Sequence, residues 1–133
     1  MTIELIRAAG LYAGVEYAYA AVAPVGALVF TAGACPLGES GATVGPGDVR
    51  AQARQCVTNL FAALVASGAG RRDVLKTTVY VASAERTDLV AAWEEIRDAF
   101  GTHDAPSTLL GVVVLGYPDQ LVELEAVAMR PSL

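Results

Sequence analysis

Positive charge is scarce in this sequence. Lys76 is its only lysine, and nine lysines and arginines stand against 14 aspartates and glutamates, for a net charge of −5. The sequence has no basic patch and no arginine-rich run. Because nucleic acids are bound chiefly through clustered basic side chains that neutralise phosphates, we expect no nucleic-acid partner.

Cysteine and long apolar runs are also in short supply. Cys35 and Cys56 fall in different predicted elements, and their spacing matches neither a zinc site nor a dense disulfide framework. No apolar run reaches the roughly 18 residues of a membrane span. Glu4 and Arg7 stand where a secretory signal would need an apolar core. We therefore expect a reduced, cytoplasmic protein with no membrane partner, no metal site and no cofactor.

Apolar residues, in contrast, make up 54% of the chain, while charged residues make up only 17%. The length of 133 residues predicts one domain, residues 1–133. The apolar fraction is high for a domain of this size. One physical interpretation is that apolar surface is also buried between subunits, as it is in obligate oligomers.

Two strand-like runs near the C-terminus organise the rest of the chain. Residues 108–115 are apolar except for a glycine and the first threonine, which predicts a strand buried on both faces. Residues 116–119 form a turn, and residues 121–129 then alternate, which places Glu123 and Glu125 on one strand face. Carboxylates are costly to bury without a partner. This face therefore meets water, a partner chain or a binding site.

Elsewhere, alternation and helical spacing predict further extended segments and two helices. The extended segments are residues 2–6, 16–22, 27–32 and 74–81, and a glycine-rich loop spans residues 36–47. Asp48 caps the first helix, which Gly68 and Gly70 stop. The second helix begins at Thr87 or Asp88 and closes at Gly101. Each helix has one apolar stripe, so both pack on one face of a single mixed sheet in an α+β fold. The other sheet face is left bare, which favours oligomerisation through the sheet.

Five segments in order carry a family resemblance. They are LVFTAG at residues 28–33, AQARQCVTNL at 51–60, VLKTTVYV at 74–81, APSTL at 105–109 and LVELEAVA at 121–128. Through them the chain resembles the Rid (YjgF-like) family of reactive-intermediate, or imine, deaminases. The resemblance implies a chorismate-mutase-like α+β fold. It also implies a homotrimer whose sheets form a central barrel, with a small-molecule cleft at each subunit interface.

The resemblance also implies site residues. Glu123 corresponds to the family glutamate that helps to activate water, and it is the implied catalytic residue. Tyr17, with Tyr19 as the alternative, corresponds to a tyrosine that lines the cleft. Ala32 and Gly33 correspond to the small or hydroxyl residue and the glycine that end a strand beside the substrate.

One family residue has no counterpart here. The arginine that binds the substrate carboxylate in well-studied members corresponds to Ser107. A guanidinium grips a carboxylate through two charge-assisted hydrogen bonds, which a serine cannot replace. Ser107, Thr108 or backbone N–H groups remain to orient a ligand, so we expect a neutral or weakly charged substrate.

These observations leave three functions open. The first is a Rid-like hydrolase or deaminase of a small imine, enamine or related C–N substrate. The second is a non-catalytic trimeric protein, stress-related or binding a small molecule, and the third and weakest is an endoribonuclease.

Individual residues have plainer interpretations too. Glu123 could pair with Arg130 or with a neighbouring chain's cation. By pattern alone Trp93 is predicted to lie in the core, His103 on the surface, and Cys35 as a buried, inert thiol.

Overall fold

A mixed four-stranded sheet carries both helices on one face. The computed structural model describes residues 2–24 and 26–131. The elements in chain order are β1 (Glu4–Ile6), β2 (Ala20–Val22), β3 (Gly26–Phe30), α1 (Val49–Ala66), a 3-10 turn (Arg71–Asp73), β4 (Val74–Val81), α2 (Arg86–Phe100), β5 (Ser107–Gly111) and β6 (Val122–Pro131). Strands β1 and β2 form a separate antiparallel pair. The predicted α+β fold with two helices on a mixed sheet is confirmed.

The order of strands in the sheet is β3-β6-β4-β5. Strand β6 runs antiparallel to both of its neighbours, and β4 and β5 are parallel. A parallel pair requires a crossover connection, which α2 supplies between β4 and β5. The core lies between the sheet and the helices, where Leu60 and Leu64 of α1 and Ile96 of α2 pack with Val79 of β4 and Leu124 of β6.

Local signals in the sequence explain the bounds of the helices. The Asp48 carboxylate accepts a hydrogen bond from the backbone N–H of Ala51 at 3.0 Å, so the predicted N-cap of α1 is confirmed. Helix α2 begins at Arg86, one residue before the nearer of the two predicted starts. It ends at Phe100, and Gly101 follows as its C-cap with a φ of 65°, which glycine adopts far more readily than other residues.

The predicted strand over residues 108–115 is wrong in its second half. Strand β5 stops at Gly111 instead of continuing to residue 115, and the side chains of Val113 and Val114 are 99% and 76% exposed. The reason is that β5 is an edge strand, which among the described residues pairs with β4 alone, and β4 ends at Val81, opposite Gly111. Beyond that pair the described residues supply no strand to continue the ladder. The predicted burial on both faces is therefore absent from this chain.

The sheet face opposite the helices is bare. Leu28 and Phe30 of β3 are 56% and 71% exposed there, and Leu110 of β5 is 41% exposed. Lys76 of β4 and Glu125 of β6 project from the same face, because they alternate with residues that face the helices. We call this surface the open sheet face. Neither helix in the described part of the chain has the length and apolarity needed to cross a membrane.

The helix cap yields a stability prediction. Replacing Asp48 by alanine removes the acceptor for the Ala51 N–H and should lower the free energy of unfolding by about 1 kcal/mol. The Asp48→Asn variant keeps a capping oxygen and should lie close to the wild type. Urea unfolding at one fixed protein concentration measures both, and equal midpoints for Asp48→Ala and the wild type would contradict the prediction.

Candidate functional site

Glu123 occupies the middle of a small polar cluster on β6. It lies opposite Tyr80 of β4. Its side chain projects from the open sheet face, because side chains alternate along a strand and both neighbours, Val122 and Leu124, are fully buried on the other face. The Oε1 atom of Glu123 accepts hydrogen bonds from Cys35 Sγ at 3.3 Å and from Gln120 Nε2 at 3.2 Å. Within residues 2–24 and 26–131 Glu123 forms no ion pair, so the alternative pairing with Arg130 is not found there.

Gly33 leaves room for the other carboxylate oxygen. A Cβ atom built on Gly33 would lie 2.1 Å from Oε2 of Glu123, far inside contact distance. The chain approaches this closely because Ala34 and Leu124 exchange backbone hydrogen bonds of 2.6 and 3.0 Å. A side chain at position 33 would therefore displace the Glu123 carboxylate from its present position. Of the predicted site residues, Gly33 thus lies against Glu123, and the exposed Ala32 precedes Gly33 in the chain.

Cys35 is a partly buried thiol that contacts this cluster, and not the fully buried one that the sequence pattern predicts. Burial, together with the hydrogen bond and charge of Glu123, raises the pKa of Cys35 to about 11, although Gln120 opposes the shift. The thiol is therefore protonated at neutral pH and donates to Glu123, with a longer contact of 3.5 Å to the Gly33 carbonyl oxygen.

Gln120 is a site residue that sequence reasoning missed. Its side chain is buried, donates to the Val122 carbonyl at 3.0 Å as well as to Glu123, and accepts from the Tyr117 N–H at 3.1 Å. A lone amide side chain between a turn and an apolar strand was the only available signal. It is a weak one, because such residues are common at turns.

A second cluster lies at the start of β5, apart from Glu123. Tyr17, Trp93, Ser107, Thr108 and Leu109 line an open groove of about 420 Å³. Tyr17 packs edge-on against Trp93 with ring centroids 6.4 Å apart. Of the two candidate tyrosines, Tyr17 lines this groove, whereas the Tyr19 hydroxyl donates to the Tyr12 carbonyl at 2.7 Å. Trp93 is half-buried, so its predicted place in the core is wrong.

The two hydroxyl residues of the groove point to opposite faces of β5. Ser107 faces the helices and accepts a hydrogen bond from the buried Thr77 hydroxyl at 2.7 Å. Thr108 faces the open sheet face and accepts from Lys76 Nζ at 2.5 Å. Each hydroxyl thus has one lone-pair contact satisfied and keeps its own O–H available to a ligand.

Arginines near the groove are already paired. Among the described residues that line the groove there is no arginine. Arg7 forms an ion pair with Asp104, and Arg97 contacts Glu16 at 2.5 Å and Asp98 at 2.8 Å. His103, predicted to lie on the surface, is instead partly buried, with Nε2 2.8 Å from the Val74 carbonyl oxygen.

Within one chain the two clusters stay apart. Glu123 pairs with Tyr80, which pairs with Leu110, three residues beyond Ser107 on β5. At about 3.3 Å per residue and about 4.8 Å per strand, this register separates Glu123 from Ser107 by roughly 10 Å along the strands and roughly 10 Å across them. A single chain therefore keeps the Glu123 cluster and the groove apart.

Comparison with known proteins shows what this arrangement resembles. The family model described as Endoribonuclease L-PSP matches residues 9–130. The chain is 34% identical to the 2-iminobutanoate/2-iminopropanoate deaminase of Escherichia coli over 123 residues, which cover 86% of this chain and 94% of that protein.

Solved structures agree. The Rid-family protein YyfB of Yersinia pestis, of unknown function, superposes with a TM-score of 0.90 at 29% identity, over 97% of this chain and 99% of that one. TdcF of Escherichia coli, solved with bound serine, superposes with a TM-score of 0.69 at 30% identity, over 98% and 99%. With a family model that spans nearly its whole length, this chain belongs to the YjgF/Rid family.

Proposed function

We propose that the protein is a deaminase that hydrolyses a small, neutral or weakly charged imine or enamine, with Glu123 positioning the attacking water. The observation that carries the proposal is the carboxylate of Glu123, which has Oε1 held by two neutral donors and Oε2 beside the side-chain-free Gly33. The name of the related Escherichia coli deaminase supports the same class of reaction.

The proposed chemistry uses the Oε2 atom of Glu123, since Cys35 and Gln120 both donate to Oε1. In the proposed reaction Oε2 accepts a proton from water as the water oxygen bonds to the imine carbon, and it returns this proton to the imine nitrogen to give the neutral carbinolamine. The carboxylate then takes the carbinolamine hydroxyl proton and passes it to the nitrogen as the C–N bond breaks, so that a carbonyl compound and ammonia are released and the carboxylate is restored. Water, one proton acceptor and an oriented imine are sufficient for these steps.

The substrate class follows from the groove. Tyr17, Trp93 and Leu109 provide apolar and aromatic walls, while Ser107 and Thr108 supply neutral hydroxyl donors. A carboxylate bound there would lose its hydration without gaining a guanidinium partner, which is costly. A substrate without a free carboxylate therefore fits the groove better than an imine derived directly from an amino acid.

A homotrimer would bring the groove of one chain to the Glu123 cluster of another. The exposed Leu28, Phe30 and Leu110 make the open sheet face an apolar surface of the kind that proteins bury between subunits. In the proposed trimer, three such faces pack into a barrel. The groove of one chain then meets the Glu123 cluster of the next, which the register forbids within a single chain.

One alternative has a specific observation in its favour. A family member that lacks the substrate-binding arginine could retain a trimeric binding groove for a small molecule without the chemistry, and no arginine lines the groove here. The ribonuclease alternative has less support. The description of the family model names that activity, but the net charge of −5 and the single lysine leave little to attract phosphates.

The proposed trimer predicts the mass of the protein in solution and a substitution that should dissociate it. The wild type should sediment at three times the 13.7 kDa mass of one chain. Phe30→Glu places a charge on the open sheet face and should give monomers in analytical ultracentrifugation. Val65→Glu is the matched control, because Val65 on α1 is 72% exposed against 71% for Phe30 but lies away from the sheet. A monomeric wild type would contradict the proposal.

The role of Glu123 predicts the effect of one isosteric change. Glu123→Gln should lower kcat/KM for imine hydrolysis by about 100-fold or more while the trimer persists, because the amide cannot accept the proton from water. Glu125→Gln, on the same strand face, should stay within about threefold of the wild type. The assay follows ammonia release from imines that an amine oxidase generates in situ. Unchanged turnover in Glu123→Gln favours the binding protein.

The missing guanidinium predicts a gain of function. Ser107→Arg should raise kcat/KM for a carboxylate-bearing imine, generated by an amino-acid oxidase, by about tenfold or more, because charge-assisted hydrogen bonds contribute about 1.5–3 kcal/mol. Ser107→Gln, which is long but uncharged, should show no such gain. A wild type that already prefers carboxylate imines over neutral ones would contradict the proposed substrate class.

A further inference from the structure

We propose that Cys35 and Gln120 are positioning residues that hold the Glu123 carboxylate by one oxygen and so direct its other oxygen to the attacking water. The inference deepens the proposed function and rests on the role given there to Glu123. It assigns a task to a thiol and an amide that neither the sequence pattern nor the comparisons single out.

Both donors reach the same oxygen. Cys35 Sγ lies 3.3 Å and Gln120 Nε2 3.2 Å from Oε1 of Glu123. A glutamate side chain has several rotamers and a freely turning terminal carboxylate, so one donor alone leaves the second oxygen poorly directed. Two donors on Oε1 fix the plane of the carboxylate, and Oε2 is then left beside Gly33, where no side chain intervenes.

The donors are themselves held by backbone. Gln120 is 4% exposed, and its amide is oriented by the Tyr117 N–H at 3.1 Å and the Val122 carbonyl at 3.0 Å. Cys35 follows Ala34, which is tied to Leu124 by two backbone hydrogen bonds. Neither donor therefore needs to be ordered when substrate binds, which is what preorganisation requires.

The chemical nature of the donors suits a general base. An arginine or lysine in their place would stabilise the charged carboxylate and weaken it as a proton acceptor, whereas a thiol and an amide orient it without a full positive charge. The thiol can play this part because burial and Glu123 raise the pKa of Cys35 to about 11, which keeps it protonated at neutral pH. For the same reason Cys35 is a poor nucleophile, since thiol reactivity requires the thiolate.

Turnover tests the positioning role. Cys35→Ala removes one donor and should lower kcat about tenfold with little change in KM, because the substrate groove is untouched. Cys35→Ser keeps a donor and should restore most of kcat, which a purely space-filling role does not predict. A Cys35→Ala enzyme with wild-type kcat would overturn the inference, as would a Cys35→Ser enzyme no better than Cys35→Ala.

A second measurement needs no activity. If Cys35 donates to Glu123, then Glu123→Gln removes a charge that raises the pKa of the thiol, so the thiolate fraction increases. Alkylation of Cys35 by iodoacetamide at pH 8, followed by peptide mass spectrometry, should accelerate at least about threefold. Glu125→Gln is the matched control and should leave the alkylation rate of Cys35 unchanged.

The two measurements separate the two ideas. An unchanged alkylation rate in Glu123→Gln would overturn the Cys35 contact and with it this inference, whatever the protein hydrolyses. If Glu123→Gln accelerates alkylation but the wild type turns over no imine, the deaminase proposal is wrong. The contact between Cys35 and Glu123 then has no catalytic purpose. Faster alkylation together with the predicted kcat pattern supports both.

Discussion

The antiparallel pairing of β6 with β3 and β4 is the interaction on which the rest of the structure depends. In this register Val122 and Leu124 are buried beneath the helices, and Glu123 and Glu125 project from the opposite face. Because side chains alternate along a strand, a slip of one residue would bury both carboxylates and expose the core residues. Burying unpaired carboxylates is costly. The slipped register is therefore disfavoured relative to the one in which Glu123 projects from the open sheet face.

Local neutrality is the second constraint on the site. Around the groove, Arg7 is paired with Asp104 and Arg97 with Glu16, so these guanidinium groups are already occupied. Exposed pairs of this kind add little to stability. In the proposed function they nevertheless matter for specificity, because hydroxyl groups and aromatic walls, and no unpaired guanidinium, then face the ligand. The neutral donors on Glu123 extend this character to the proposed catalytic group.

The backbone arrangement of this chain is shared with its relatives more fully than the residues of its candidate site. The Yersinia pestis protein shares nearly the entire backbone arrangement at 29% identity. The family resemblance, however, implies an arginine where this chain has Ser107. A shared fold therefore does not by itself fix the chemistry of the site, since one scaffold can hold different sites. A trimer, as proposed, would let a change at one edge strand alter specificity without disturbing the Glu123 cluster.

The sequence by itself determined the helices, the Asp48 cap and the outward face of Glu123, because capping and period-two alternation are set by neighbours a few residues away. Only the tertiary structure decided that β5 ends at Gly111, that Trp93 lines the groove, and that Cys35 reaches Glu123. Each of these depends on segments that are distant along the chain, as Cys35 and Glu123 are, with a sequence separation of 88. Local patterns carry no information about which of many polar side chains a long-range backbone pairing brings into contact.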